Sequence, residues 1–170
     1  MFVRINENIL SRYSDSIDCI FMGNDFGTQL DMIISPECFR KFILPYYVKL
    51  IAIAHKYQKP VMLHSCGSIS RIIPDLIDAG ISALHPLQSL AQGMDADNLA
   101  QYKKDLLFVG GIDTQRLLPF GTSAEIREEV FRIAELWGDG WIVSPSHEAL
   151  LPNVSVENLL ALRKAASDLI

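Results

Sequence analysis

The sequence predicts an α/β protein built from parallel βα units, and three observations carry that expectation. Short runs that are apolar almost without interruption alternate with longer segments of helical periodicity. The alternation occurs five times along the chain. Polar or reactive residues follow nearly every apolar run. Strand followed by helix, repeated, gives a parallel sheet with right-handed crossovers.

The strand-like runs are Ile17 to Met22, Pro60 to Leu63, Ile81 to Leu84, Leu106 to Val109 and Trp141 to Val143, each too short for a helix. Their near-continuous apolarity is that of parallel strands covered on both faces. Ser35-Pro36 opens the first helix, with Ser as N-cap and Pro in the first turn. That helix bends near Pro45 and ends around Tyr57. Arg71 to Ala79 is helical and stops at Gly80. Met94 to Lys103 and Ser155 to Leu169 are further helical stretches. In Thr122 to Trp137, Ile126, Val130, Ile133, Ala134 and Trp137 recur at helical spacing, Thr122-x-x-Glu125 forms a capping box, and Gly138 ends the run.

At 170 residues, with 49% hydrophobic and 21% charged residues, the chain is expected to form one domain over 1–170 with a sizeable core. Net charge is -5 and no basic run exceeds Lys103-Lys104, which argues against nucleic acid as a partner. The longest apolar stretch, Phe42 to Ala54, is broken by Pro45 and Lys49 and falls short of a membrane span. Met1 to Asp18 carries Arg4, Glu7, Arg12 and Asp15 and lacks the apolar stretch of a secretion signal, so the cytoplasm is the expected location. Cys19, Cys38 and Cys66 are then expected as thiols, the first two as small buried hydrophobes without a role.

No Gly-x-Gly-x-x-Gly follows the first strand and no Walker-type loop occurs, so the open nucleotide-binding sheets lose their usual signature. Instead Asn24-Asp25, His64-Ser65-Cys66, His85 and Gln88, Asp113 and Gln115, and Ser144 to Glu148 follow the five strands in turn. A ring of functional groups at strand carboxyl ends is how a TIM barrel builds its site. A complete barrel spends roughly 31 residues per βα unit, so this chain supplies about five of eight strands and cannot close alone. Such a sheet exposes edge strands and apolar faces.

His64 and Cys66 are two residues apart, so a strand periodicity of two turns both side chains the same way and Ser65 aside. Imidazole and thiolate are donors that zinc prefers, and a catalytic zinc takes three protein ligands with one position open. His147 and Asp25 are the candidates to complete such a set. The bland alternative is a half-buried histidine beside a core thiol, because a His-x-Cys pair arises often by chance. Asp25 could instead orient a metal-bound histidine, touch substrate, or form a turn at Gly27. His85 either lines the pocket or satisfies loop backbone, and Glu148 either acts as a base or faces solvent. Asp113 and Gln115 follow Gly110-Gly111, where substrate could approach closely or a plain loop could run. Trp137, Trp141 and the Tyr46-Tyr47 pair are expected to serve packing.

Five segments, Gly23-Asn24-Asp25-Phe26-Gly27-Thr28-Gln29, Lys59 to Gly67, Ala83 to Gln88, Gly110-Gly111-Ile112-Asp113-Thr114-Gln115 and Ser144-Pro145-Ser146-His147, occur in the order seen in the uroporphyrinogen decarboxylase family. The resemblance runs from about residue 18 to nearly the end of the chain. The His-x-Cys-Gly motif is similar to that of the zinc-binding, corrinoid-dependent methyltransferase branch, typified by methylcobamide:coenzyme M methyltransferase. What this implies is a TIM barrel whose zinc binds a thiol substrate, which takes a methyl group from a methylated corrinoid (methylcobamide) on a partner protein. His64 and Cys66 match two of the family's zinc ligands, and His147 stands where the third is usually a Cys. From their places after the strands, Asp25 and Glu148 are the candidate catalytic residues, and Gln29, His85, Gln88, Asp113 and Gln115 the candidate substrate contacts. The family barrel is about twice this length, so the chain is expected to be one part of a split enzyme, a truncated product, or a half-barrel that pairs with another copy. Two other readings are a tetrapyrrole decarboxylase and a non-catalytic half-barrel that binds a corrinoid protein or a partner chain.

Overall fold

In the computed structural model, which describes residues 1–169, five strands form one parallel sheet: β1 (Ile20–Gly23), β2 (Val61–His64), β3 (Ala83–Leu87), β4 (Leu107–Ile112) and β5 (Trp141–Pro145). They lie in the order β1-β2-β3-β4-β5, with each strand beside its neighbour in sequence. A doubly wound sheet reverses its strand order at a switch point. This one never does, so successive right-handed crossovers deposit their helices on one side, as in part of a TIM barrel.

The helices are α1 (Phe2–Tyr13), α2 (Pro36–Phe42), α3 (Leu44–Lys56), α4 (Ile73–Ala79), α5 (Ala96–Leu99), α6 (Leu117–Phe120), α7 (Ser123–Trp137) and α8 (Val156–Ser167). Ser35 Oγ accepts the Cys38 N–H at the start of α2. The Thr122 capping box is formed from both sides, with Glu125 N donating to Thr122 Oγ1 at 3.2 Å and Thr122 N to Glu125 Oε2 at 2.7 Å. The single bent helix expected over residues 35–57 is two helices. Pro45 stands in the first turn of α3, where a missing N–H costs nothing, so the bend becomes a break at Ile43. The stretch expected over 94–103 shrinks to four α-helical residues and a 3₁₀ turn, because its Asp and Asn residues favour capping over propagation. α6 and α1 were not expected. α1 buries Leu10 against α3 and is tied to it by Lys56 and Tyr57, both of which donate to Glu7 Oε1, while its Phe2, Ile5, Ile9 and Tyr13 remain exposed.

The core lies between the sheet and the helices. Val61, Leu63, Leu84, Phe108 and Ile112 point one way and are fully buried, packed with Ile51, Ile72, Leu76, Ile126, Val130 and Ile133. Trp137 closes one end of this layer, its ring 4.6 Å from Phe108 and its Nε1 donating to Ala96 O, and Trp141 Nε1 donates to Gly110 O. The alternate residues face the opposite way. Phe21 is 55% exposed, Leu107 48% and Ile142 58%. The expectation of strands covered on both faces therefore fails for one face, and the reason is topological. That face is the concave lining of an incomplete barrel, apolar in sequence but covered by no element among the described residues. Among the described residues no helix is long and apolar enough to cross a membrane.

Strand boundaries differ in a way that matters for the site. β2 runs through His64 and β3 through Leu87, so His64 and His85 sit inside strands rather than after them. β4 likewise contains Gly110, whose φ of 117° and position opposite a register shift in β3 leave no room for a side chain, since a Cβ would come within 2.6 Å of Leu87 N.

Phe108 and Leu107 are adjacent residues on opposite faces of β4, so truncating each separates the filled layer from the open one. Phe108→Ala should cost about 3–5 kcal/mol in urea unfolding. Leu107→Ala should cost under about 1 kcal/mol, in keeping with an exposed position. Equal losses at the two positions would contradict this assignment of faces.

Candidate metal centre

The carboxyl ends of β1, β2 and β5 bring four further potential metal donors around the sulfur of Cys66. The ligand atoms of Asp25, His64 and Cys66 all lie within 4.8 Å of one another, and so do those of Cys66, His147 and Glu148. Cys66 Sγ belongs to both groups.

Backbone packing produces this convergence. Asp25, just past β1, accepts the Cys66 N–H on Oδ1 at 2.9 Å, and Phe26 N donates to Ser65 Oγ at 3.0 Å. Ser65 is thus turned inward and buried while His64 and Cys66 share the opposite side, with Cys66 Sγ 3.8 Å from His64 Nε2. The two loops also touch at Gly27 and Gly67. A Cβ on Gly67, which has φ of 77°, would lie 2.4 Å from Gly27 C, and one on Gly27 would lie 2.5 Å from Ser68 N.

His64 uses its two ring nitrogens differently. Nε2 faces Cys66 and stands 3.3 Å from Asp25 Oδ1, while Nδ1 is 3.0 Å from His85 Nδ1 on the neighbouring strand. Asp25 therefore stands on the Nε2 side of the ring, which also faces Cys66, and not behind it at Nδ1. His147 Nδ1 accepts the Ala149 N–H at 3.0 Å and lies 3.8 Å from Glu148 Oε2.

The residues expected to contact substrate divide into two kinds. Gln88, 8% exposed, accepts on Oε1 from Gly67 N and from Gln29 Nε2, both at 2.9 Å. Gln115 Nε2 donates in turn to Gln29 Oε1 at 3.2 Å, so three amides from three loops form one row. Asp113 spends its carboxylate on backbone, with Oδ1 accepting from Gln115 N and Oδ2 from Arg116 N and Leu117 N, which nucleates α6. Gln29 and Gln115 remain exposed, Gln88 and Asp113 hold loops, and His85 is half-buried against His64. The sequence marks Ser65 only as the residue turned aside and Gly27 only as a turn position, and Gly67 only by its place within the matching segments. All three cysteines are free thiols, and Cys38 is exposed at the start of α2, contrary to the buried position expected, because the side of α2 that packs inward carries Phe39 instead.

The electrostatics oppose an isolated thiolate. Burial, then the carboxylates of Asp25 and Glu148, push the Cys66 thiol up to about 11. Burial first, and then His64, lower the His85 pKa from its ordinary value. A divalent cation inverts the Cys66 balance, because the same two carboxylates that repel a thiolate attract the ion. The spacing of His64 and Cys66 fits zinc, while His147 groups with Cys66 and Glu148 and not with His64. A nitrogen and a sulfur bound tetrahedrally at about 2.0 and 2.3 Å lie about 3.6 Å apart, close to the observed His64–Cys66 separation.

In metal-free protein carrying Cys19→Ser and Cys38→Ser, about one Cys66 in a thousand should be ionised at pH 8. Its alkylation by iodoacetamide should accelerate about tenfold per pH unit from pH 8 to 10. A plateau near neutral pH would contradict the raised thiol.

Comparison with known proteins follows the same lines. The family model described as Uroporphyrinogen decarboxylase (URO-D) matches residues 18–169. Among solved structures, a methyltransferase from Methanosarcina mazei shares the fold with a TM-score of 0.71 and 20% sequence identity, over 98% of this chain and 47% of that one. This chain therefore spans about half the length of that relative. No curated protein matches the chain significantly. With the family model covering all five strands and every candidate metal donor, the chain belongs to the uroporphyrinogen decarboxylase family.

Proposed function

We propose that this rim holds zinc through His64, Cys66 and His147 and serves a methyltransferase-like reaction. In it a small thiol accepts a methyl group from a methylated corrinoid, a methylcobamide carried by a partner protein. The observation that carries the proposal is the crowding of four donors from three strand ends around Cys66 Sγ. Two carboxylates beside a half-buried thiol make an unfavourable arrangement that a cation relieves. The methyltransferase fold neighbour supports the reaction class.

When bound, zinc supplies a Lewis acid that lowers the pKa of a thiol entering the open position. The chain's own groups do the rest. Either Glu148 or Asp25, both exposed carboxylates at the rim, takes up the single thiol proton. Gln29 and Gln115 present amides to the body of the substrate, Gln88 and Asp113 fix the loops that carry those amides, and Phe21 keeps the floor beside His64 apolar. A methylated corrinoid would supply the methyl group and keep the bonding electron pair, and the thiolate sulfur held at this rim would receive it. The open sheet face and the free edges of β1 and β5 are covered by a companion half-barrel chain or by a second copy of this one.

Two neutral imidazoles and one thiolate leave Zn²⁺ with net charge +1, whereas one imidazole and two thiolates leave it neutral. The His147 site should therefore acidify a bound thiol more strongly than a three-ligand site with a second Cys. The resulting thiolate should be a weaker nucleophile per molecule.

The chain should bind about one zinc. Cys66→Ser and His64→Ala should each weaken zinc binding at least about 100-fold, as measured by competition with a chromophoric chelator. His147→Cys should keep the metal and raise the apparent pKa of a bound thiol in a spectrophotometric titration. Wild-type protein free of zinc after metal loading, or Cys66→Ser with undiminished affinity, would overturn the proposal, and equal thiol pKa values would overturn the charge argument.

A further inference from the structure

A histidine that binds metal through Nε2 as a neutral ring must carry its remaining proton on Nδ1, and that proton needs an acceptor. His64 Nε2 faces Cys66 and Asp25, and its Nδ1 lies 3.0 Å from His85 Nδ1. We infer that His85 is a positioning residue for the metal centre, its Nδ1 lone pair accepting the His64 proton and so leaving His64 Nε2 free for the ion. The inference rests on His64 being a zinc ligand as proposed above, and it replaces the substrate contact expected for His85.

Three features of the fold support it. The register of the sheet pairs His64 with His85 directly across β2 and β3, so the contact is set by strand alignment and not by a loop. Phe21 from β1 packs edge-on against both rings, with centroids 6.0 Å from His64 and 5.6 Å from His85, which restrains the planes of the two imidazoles together. Asp25, the carboxylate that could compete for the role, is on the Nε2 side and cannot reach the Nδ1 proton. His85 must then hold its own proton on Nε2, because a proton on its Nδ1 would face the one on His64.

The test is zinc affinity in His85→Leu, His85→Asn and His85→Gln, measured by chelator competition together with thermal unfolding of the metal-free proteins. Asn carries its amide oxygen close to where Nδ1 lies, and Gln carries it one bond farther out. His85→Leu and His85→Gln should weaken zinc binding about 10–100-fold, and His85→Asn should stay within roughly threefold of wild type. If His85→Leu fails to fold, the Asn and Gln pair decides. Undiminished affinity in His85→Leu, or His85→Asn as weak as His85→Gln, would overturn the inference alone. A wild-type chain without zinc would remove the metal centre and this inference with it.

Discussion

Strand order is the constraint on which the rest depends. Because each crossover is right-handed and none reverses direction, all five carboxyl ends reach one rim and all the covering helices lie on one side. Residues as distant in sequence as Cys66 and His147 meet for that reason, without any long-range signal in the chain beyond the repetition of strand and helix. The same constraint leaves the concave face uncovered, so the features that build the rim and those that leave the sheet incomplete have a single origin.

Around Cys66 the local chemistry is held against its own electrostatic preference. Two carboxylates and partial burial disfavour the thiolate, yet hydrogen bonds keep Cys66 beside Asp25: the Cys66 N–H is fixed on Asp25, and the neighbouring Ser65 is fixed on Phe26. Structural interactions thus stabilise an arrangement of charges that becomes favourable only when a cation is added. Behind the imidazole, His85 supplies a neutral partner, and β2–β3 pairing rather than loop geometry sets the spacing.

Much of this was legible in the sequence and some was not. The five βα alternations, the Thr122 capping box and the helix-ending glycines follow from local periodicity and caps, and the structure contains them. Gly110-Gly111 and His85 read as loop positions because apolar periodicity fades before the strands end. Backbone pairing carries β3 and β4 further than side-chain pattern can signal. α1 was missed although Phe2, Ile5, Ile9 and Tyr13 are spaced as on a helix, because its buried contact with α3 rests on Leu10 alone and its apolar stripe faces outward. The His-x-Cys spacing correctly gave two side chains on one side of the backbone. That Asp25 stands before the His64 ring and His85 behind it was beyond any spacing argument, because it depends on register between separate strands.

The backbone contact between Gly27 and Gly67 has an evolutionary corollary. In most tight contacts a gain of volume on one side can be offset by a loss on the other, so pairs of positions drift together. Here both partners are already the smallest residue that exists, and no compensating replacement is available to either. The crossing should therefore behave as a frozen point, where the first two loops of the rim can diverge in every side chain around it but cannot trade atoms at the place where their chains touch.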